Sequence, residues 1–206
     1  MLGYTIIYLK ILKVGVFMQL KGKTILFLGS SVTCGAEHIS FIDVMAQRCG
    51  INAVKEAVSG THLADITEQS YVARLKKVDK ELKPDLFICQ LSTNDTHPDI
   101  PLSKTEDAIR FILEYVKNTF GCPMAFYTGV YFENEKYAKM VDMLYKLQKE
   151  YDFSILDLFN DKDMSSVSAE DHAKYMTDSI HPTVLGYEEW LTPKFIEFCD
   201  ELLFNA

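Results

Sequence analysis

The sequence has no dense run of Lys or Arg, although it contains 21 of these residues among 206. Asp and Glu number 29, and the formal net charge is -8 at pH 7. Binding to nucleic acid or to an anionic membrane surface relies on clustered cations. We therefore expect neither as a partner.

Long uncharged apolar stretches are also missing. The N-terminal one covers residues 1–9 and is much shorter than the roughly 20 residues of a membrane-spanning helix. Lys10 and Lys13 come after it, whereas a secretory signal carries its positive charge before the apolar part. We interpret residues 1–22 as an extension, with Met18 as a candidate native start. Residues 23–206 then form a single domain.

No Cys-x-x-Cys pair occurs, and the cysteines are odd in number and widely spaced. They are Cys34, Cys49, Cys89, Cys122 and Cys199. This usage is typical of free thiols in a reducing compartment, so we expect a cytoplasmic protein. No Cys/His cluster has the spacing of zinc ligands, so we expect no structural metal.

Hydrophobic residues make up 48% of the chain, enough to bury a core. Apolar runs predict strands, and patterns of helical spacing follow them. The predicted strands cover 24–29, 51–58, 85–92, 123–131 and 153–159. The predicted helices cover 38–50, 63–82, 103–121, 133–151 and 184–203. A capping box of Ser103 and Glu106 would begin the third helix, and Pro193 would bend the last one.

Five alternations of strand and helix predict an α/β fold with a parallel sheet and helices on both faces. We expect a flavodoxin-like three-layer α/β/α sandwich with strand order 2-1-3-4-5. Ligands bind such sheets at the carboxyl ends of the strands, where the strand order reverses. The polar loops "SSVTCG" after strand 1 and "STND" after strand 3 both fall at that place.

A histidine and an aspartate have the spacing that serine catalysis uses. A serine hydroxyl becomes a nucleophile when a base takes its proton, and a carboxylate orients that base. Among five histidines, only His181 has an Asp three residues before it, Asp178 in "DSIHP". The same pair could equally be a solvated surface pair, and at this point the nucleophile could be Ser30 or Ser31.

An oxyanion intermediate would also need hydrogen-bond donors. The backbone N–H of the loop serine, a backbone N–H at Gly60 and the side-chain amide of Asn94 are candidates. Gly60 as a plain turn residue and Asn94 as a loop-capping residue are the alternatives.

Four segments together resemble the sequence blocks of the SGNH (GDSL-type) hydrolases. Residues 29–35, "GSSVTCG", resemble the Gly-Asp-Ser-x-Thr-x-Gly block, and Gly60 matches the glycine of the second block. Residues 92–95, "STND", resemble Gly-x-Asn-Asp, and residues 178–182 resemble Asp-x-x-His-Pro. All four stand in the order found in the family.

The resemblance implies a serine esterase with the flavodoxin-like fold, no metal and no cofactor. It places Ser31 at the nucleophile, His181 at the general base and Asp178 at its orienting acid. The oxyanion donors would be the Ser31 backbone, Gly60 and the Asn94 side chain.

Two positions depart from the family pattern. Ser30 stands where the family has Asp, and Ser92 stands where it has Gly. The register to Thr33 and Gly35 selects Ser31 over Ser30 as the nucleophile.

Within the esterase interpretation, we expect a small-molecule ester as the partner, first of all a short-chain ester such as an O-acetylated sugar. An acyl thioesterase or a lysophospholipase is the alternative within the family. A flavodoxin-like flavin or phosphate binder and a non-catalytic carbohydrate-binding relative are the alternatives outside this chemistry.

Overall fold

The computed structural model describes residues 19–204, and within them one five-stranded sheet is present. Every neighbouring pair of strands is parallel, and the order is β2-β1-β3-β4-β5, which confirms the predicted fold class. The strands are β1 Thr24–Gly29, β2 Asn52–Ala57, β3 Leu86–Gln90, β4 Met124–Tyr127 and β5 Ser154–Leu156.

Helices connect the strands and cover both faces of the sheet. They are α1 Ser31–Cys34, α2 Phe41–Cys49, α3 Tyr71–Leu75, α4 Leu102–Thr119, α5 Glu135–Gln148, α6 Lys162–Ser165, α7 Ala169–Tyr175 and α8 Thr192–Phe204. A 3₁₀ turn covers Thr93–Thr96, and a π-helical turn covers Gly186–Leu191.

Alternate residues of the strands face two separate hydrophobic cores, as the two-residue period of a strand requires. Leu26, Leu28 and Phe87 pack with α3, α4 and α5 on one face. Ile25 and Phe27 pack with α2 and α8 on the other. The result is the predicted three-layer sandwich.

The carboxyl ends of β1, β2 and β3 lie side by side. Gly29 is in register with Ala57 of β2, and Leu28 is in register with Cys89 of β3. The loops that leave these three strands therefore meet at one edge of the sheet.

The predicted helix over 63–82 is wrong, since only Tyr71–Leu75 within it is an α-helix. The residues before this helix form turns, in which the Ser70 amide donates to the Thr67 carbonyl and the Tyr71 amide to the His62 carbonyl. The amides of Leu63 and Ala64 donate to the carboxylate of Asp95, at 2.8 and 2.9 Å. The helix begins only after Ser70, whose hydroxyl accepts from the Ala73 amide.

The predicted capping box is also wrong. Helix α4 begins at Leu102, directly after Pro101, and Ser103 already lies inside its first turn. Pro101 is the N-cap residue, with φ of -63° and an extended ψ of 145°, and its side chain offers no hydrogen-bond cap. Glu106 forms an ion pair with Arg110 at 2.8 Å.

The bend that the sequence predicts at Pro193 is replaced by a helix irregularity that lies earlier in the chain. Residues Gly186–Leu191 form the π-helical turn, and Pro193 occupies the first turn of α8. Because Pro193 has no N–H, it cannot donate to a carbonyl of the preceding turn. The Thr192 hydroxyl donates to the Tyr187 carbonyl at 2.6 Å.

The predicted extension, residues 1–22, and the candidate start Met18 fall largely outside the described residues and stay predictions. Leu20 is fully buried in the core beside α2 and α8. No helix within residues 19–204 is long and apolar enough to cross a membrane.

Candidate active site

A continuous chain of hydrogen bonds links Ser31, His181 and Asp178. The Ser31 Oγ lies 2.8 Å from Nε2 of His181, and Nδ1 of His181 lies 2.8 Å from Oδ2 of Asp178. An ionised carboxylate only accepts, so Nδ1 carries the proton and Nε2 is left to accept from the serine hydroxyl. This is the arrangement that activates a serine.

The Asp178–His181 pair lies on a tightly closed loop. Met176 and Pro182 form an antiparallel bridge, and the Thr177 amide donates to the His181 carbonyl at 2.7 Å. The other carboxylate oxygen of Asp178, Oδ1, accepts from the amides of Ile180 and His181, each at 2.7 Å. Both side chains of the pair are therefore fixed by local bonds.

The same bonds govern the protonation of Asp178. Partial burial raises the pKa of its carboxyl, but hydrogen bonds from the His181 ring and from the amides of His181 and Ile180 outweigh this. The pKa of Asp178 consequently lies below its ordinary value. The carboxylate is ionised at neutral pH, as an acceptor for Nδ1–H must be.

The two serines of the loop have different surroundings. Ser30 is fully buried, and its amide donates to Oε1 of Gln90 at 2.9 Å. Ser31 is half-buried and directs its hydroxyl at His181. The Thr33 hydroxyl also donates to Oε1 of Gln90, at 2.8 Å. Gln90, at the end of β3, thus clamps both ends of the turn that presents Ser31.

Gly29 lets this turn approach β3 closely. A Cβ on Gly29 would collide with the Thr33 side chain and come within 2.9 Å of Oε1 of Gln90. Glycine is therefore required at position 29 because a side chain would not fit beside Thr33 and Gln90, and not because of its φ angle.

The candidate oxyanion donors lie on the loops after β2 and β3. Gly60 has a φ of 75°, in the left-handed region that favours glycine. The Asn94 side-chain Nδ2 donates to the carbonyl of Thr61 at 2.9 Å. Asn94 and Gly60 are therefore neighbours through Thr61, although the sequence separates them by more than 30 residues.

Asp95 holds the loop that carries Gly60. Its buried carboxylate accepts from the amides of Leu63 and Ala64 and, at 3.0 Å, from the Thr105 hydroxyl. Three donors compensate the burial of this carboxylate.

The two departures from the family pattern are neighbours in space. Burial raises the pKa of Tyr71 well above its ordinary value, and the hydroxyls of Ser30 and Ser92 beside it act in the opposite direction. Both serines are fully buried. Ser92 therefore lies in the interior behind the turn and not on an exposed surface.

Three further residues shape the site but are not among those predicted from the sequence: Gln90, Asp95 and Tyr187, whose hydroxyl donates to the carbonyl of Val32, next to Ser31. Gln90 is indicated by the sequence, since it is the one polar residue of the otherwise apolar strand "LFICQ". Asp95 is indicated by its place in the "STND" block. Tyr187 follows the "DSIHP" block, and nothing in the sequence around it indicates a role in the site. Within residues 19–204, no group of three or more His, Cys, Asp and Glu side chains is arranged to hold a metal ion.

A family model for the GDSL-like lipase/acylhydrolase family matches residues 27–189. The chain belongs to this family. The matched range contains all four blocks identified in the sequence, from Gly29 to Pro182. No protein with a curated description matches the sequence.

Solved structures share the fold at low sequence identity. The psychrotrophic esterase EstA from Pseudoalteromonas sp., inhibited by monoethylphosphonate, has a TM-score of 0.70 and 16% identity over 89% of this chain and 100% of that one. The SGNH-hydrolase family esterase AlinE4 has a TM-score of 0.58 and 21% identity over 88% and 97% of the two chains. A family two carbohydrate esterase from Clostridium thermocellum, in complex with cellohexaose, has a TM-score of 0.69 and 13% identity over 87% and 64%.

Family membership identifies the general class of reaction. As a GDSL-like lipase/acylhydrolase, the protein is an ester hydrolase. The ester that it cleaves and the role of each residue are a separate question.

Proposed function

We propose that the protein is a serine esterase that hydrolyses carboxylic esters through an acyl-enzyme intermediate. The observation that carries this proposal is the hydrogen-bond chain from Ser31 through His181 to Asp178, with 2.8 Å at each step between side chains. Ser31 is the nucleophile, His181 the general base and Asp178 its orienting acid.

In the first half-reaction, Ser31 Oγ attacks the ester carbonyl carbon while Nε2 of His181 takes its proton. The electron pair of the carbonyl bond moves to the oxygen, and Asp178 stabilises the imidazolium that forms. When the intermediate collapses, the bond to the alcohol oxygen breaks and His181 returns the proton to the leaving alcohol. Ser31 is left acylated.

In the second half-reaction, water takes the place of the alcohol. His181 removes a proton from the water, whose oxygen attacks the acyl carbon. Collapse of this second intermediate breaks the bond to Ser31 Oγ, which regains its proton from His181. The products are a carboxylic acid and the free enzyme.

The oxyanion of each intermediate would be held by the Ser31 amide, the Gly60 amide and Nδ2 of Asn94. The Asn94 amide carries two protons, and its bond to the Thr61 carbonyl fixes one of them. The orientation of the second is thereby set before a substrate arrives. Donors that are fixed in advance need no reorganisation in the transition state.

As substrates we propose short-chain esters, first of all O-acetylated sugars. The similarity to a carbohydrate esterase supports this class. Tyr131 supports it as well, because this residue is 52% exposed beyond the carboxyl end of β4 and its ring packs against Phe159, with 5.2 Å between ring centroids. An exposed aromatic face suits the apolar face of a sugar ring.

A thioesterase acting on coenzyme A esters is the second candidate within the family, together with a lysophospholipase. The net charge of -8 works against an anionic carrier such as coenzyme A. For the compartment we propose the cytoplasm, and the five free thiols support this.

The experiment that tests the proposal is labelling with a fluorophosphonate probe followed by peptide mapping. Such a probe reacts with an activated serine, and we expect the label on Ser31. Labelling of Ser30, or no labelling of the folded protein, would contradict the assignment. A flavin or phosphate binder without an activated serine would stay unlabelled.

The substrate class is tested separately by comparing acetylated oligosaccharides with an acyl-CoA, a lysophospholipid and long-chain p-nitrophenyl esters. We expect the highest kcat/KM with the acetylated sugars. A higher kcat/KM with the acyl-CoA or the lysophospholipid would replace this substrate class and leave the esterase mechanism intact.

A further inference from the structure

A buried arginine lies behind the candidate oxyanion donors. Arg74 of α3 is 7% exposed, and all its hydrogen-bond partners are carbonyl or hydroxyl oxygens. Its guanidinium donates to the carbonyls of Gly29 at 2.7 Å, Glu56 at 2.6 Å and Gln69 at 3.1 Å, and to the Thr61 hydroxyl at 3.3 Å.

The positive charge of Arg74 is not neutralised by a direct carboxylate contact. None of the ion pairs formed within residues 19–204 includes it. Burial lowers the pKa of Arg74, and the Glu56 carboxylate acts in the opposite direction from farther away. The Tyr71 ring covers the guanidinium, with Cζ 5.2 Å from the ring centroid. A guanidinium stays protonated in proteins, so this site holds a fixed cation.

The contacts of Arg74 reach both sides of the oxyanion site. Gly29 precedes Ser31 by two residues, and Thr61 directly follows Gly60. The Thr61 carbonyl in turn holds Nδ2 of Asn94. The Arg74 guanidinium is therefore bonded to Gly29, two residues before Ser31, and to Thr61. Thr61 is in turn next to Gly60 in sequence and bonded to Asn94.

We propose that Arg74 is a positioning residue of this esterase whose charge, held behind the loops of the oxyanion donors by its hydrogen bonds, favours the negative charge that develops between them. The inference rests on the proposed function. A fixed cation in a poorly hydrated interior acts over several ångströms, because little water screens it. Its field is present before the reaction begins and needs no rearrangement.

Two substitutions separate the charge from the hydrogen bonds. Arg74→Gln removes the charge and keeps a side chain that can donate, whereas Arg74→Lys keeps the charge and loses the planar fork. Lys77→Gln is the matched control, because it removes one positive charge from an exposed position three residues away. Active sites are titrated with the fluorophosphonate, so that unfolded protein is not counted as slow enzyme.

With p-nitrophenyl acetate we expect Arg74→Gln to lower kcat about tenfold with KM nearly unchanged, since the charge acts on the transition state. A boronic acid that forms a tetrahedral anion on Ser31 should bind about tenfold more weakly. Arg74→Lys should stay within about threefold of the wild type in both measurements, and Lys77→Gln should equal it.

An unchanged kcat for folded Arg74→Gln would overturn the inference, and so would a loss confined to KM. If Arg74→Gln does not fold, Arg74→Lys decides: a loss of about tenfold or more in kcat and in boronic acid affinity would show that the charge is not what matters. Ser31→Ala distinguishes the two proposals. If Ser31→Ala stays active, the proposed function fails; if it is inactive while Arg74→Gln is fully active, only the present inference fails.

Discussion

The phenolic hydroxyl of Tyr187 donates a hydrogen bond to the carbonyl of Val32 at 3.0 Å, between residues 155 positions apart in the chain. Val32 follows Ser31 directly, and Tyr187 follows His181 by six residues in the π-helical turn. The bond is buried, so water does not compete with it. It joins the segment that carries the candidate base to the helix that carries the candidate nucleophile.

Tyr187→Phe removes this bond and keeps the buried ring. We expect kcat to fall about fivefold to tenfold with KM nearly unchanged, because Ser31 and His181 are then held less accurately. The loss of one buried hydrogen bond should also lower the free energy of unfolding by about 1 kcal/mol. Steady-state kinetics and thermal unfolding measure the two effects. Tyr145→Phe, which removes a hydroxyl bonded to Asp157 on the surface, should leave kcat unchanged; equal kcat values for both variants would contradict the role of Tyr187.

Ser31→Ala should lower ester turnover by about a thousandfold or more, since members of a triad act as a unit. Ser30→Ala should retain activity within about tenfold, because the Ser30 amide keeps its bond to Gln90 when the side chain is removed. Initial rates with p-nitrophenyl acetate distinguish the two variants. The reverse order of activities would show that Ser30 is the nucleophile.

The pKa of Asp178 gives a prediction about pH. Its folded-state pKa lies below the ordinary value of 3.8, so its carboxylate stabilises the native state above that pH. This contribution is lost as the pH falls through the folded-state pKa. Asp178→Asn should therefore be less stable than the wild type at neutral pH, and the difference should shrink below pH 3.8. Thermal unfolding across this range checks it, and a difference that does not change with pH would refute it.

Asp95→Asn should lower both stability and kcat. The Asn side chain has one acceptor oxygen where the carboxylate has two, and its amide would face the Leu63 or Ala64 amide. We expect a loss of about 1–3 kcal/mol in the free energy of unfolding. The loop that carries Gly60 would also be less well fixed. Asp99→Asn, at a side chain that is 90% exposed, is the control; a stable, fully active Asp95→Asn would contradict this role.

The sheet and the candidate site could be predicted from sequence because both leave local patterns. Strands β1 and β3 are short apolar runs, and the blocks at Ser31, Asn94 and His181 are each contiguous in the chain. The same local reasoning fails for residues 63–82. Their apolar residues have helical spacing, but only Tyr71–Leu75 forms an α-helix. Contacts with a distant segment hold the start of this stretch as a loop: the Leu63 and Ala64 amides donate to the carboxylate of Asp95, about 30 residues farther along.

The supporting residues were harder to find for the same reason. Gln90, Arg74 and Tyr187 act through partners that are distant in sequence: Gln90 binds Ser30, Arg74 binds Gly29, and Tyr187 binds Val32. Only the fold brings these pairs together. A polar residue in a buried strand indicates that such a hydrogen bond exists but does not identify the residue to which it is bonded.

The bond between Ser31 and His181 joins residues 150 positions apart, whereas Asp178 and His181 meet within one closed loop. Closing a long loop costs entropy before the contacts that it brings together can form, so contacts between distant segments slow folding. Recovery of esterase activity should therefore lag behind recovery of helical circular dichroism when the protein is refolded from denaturant. The rate of ester turnover during refolding then reports when the C-terminal segment, which carries His181, docks onto the turn after β1, which carries Ser31.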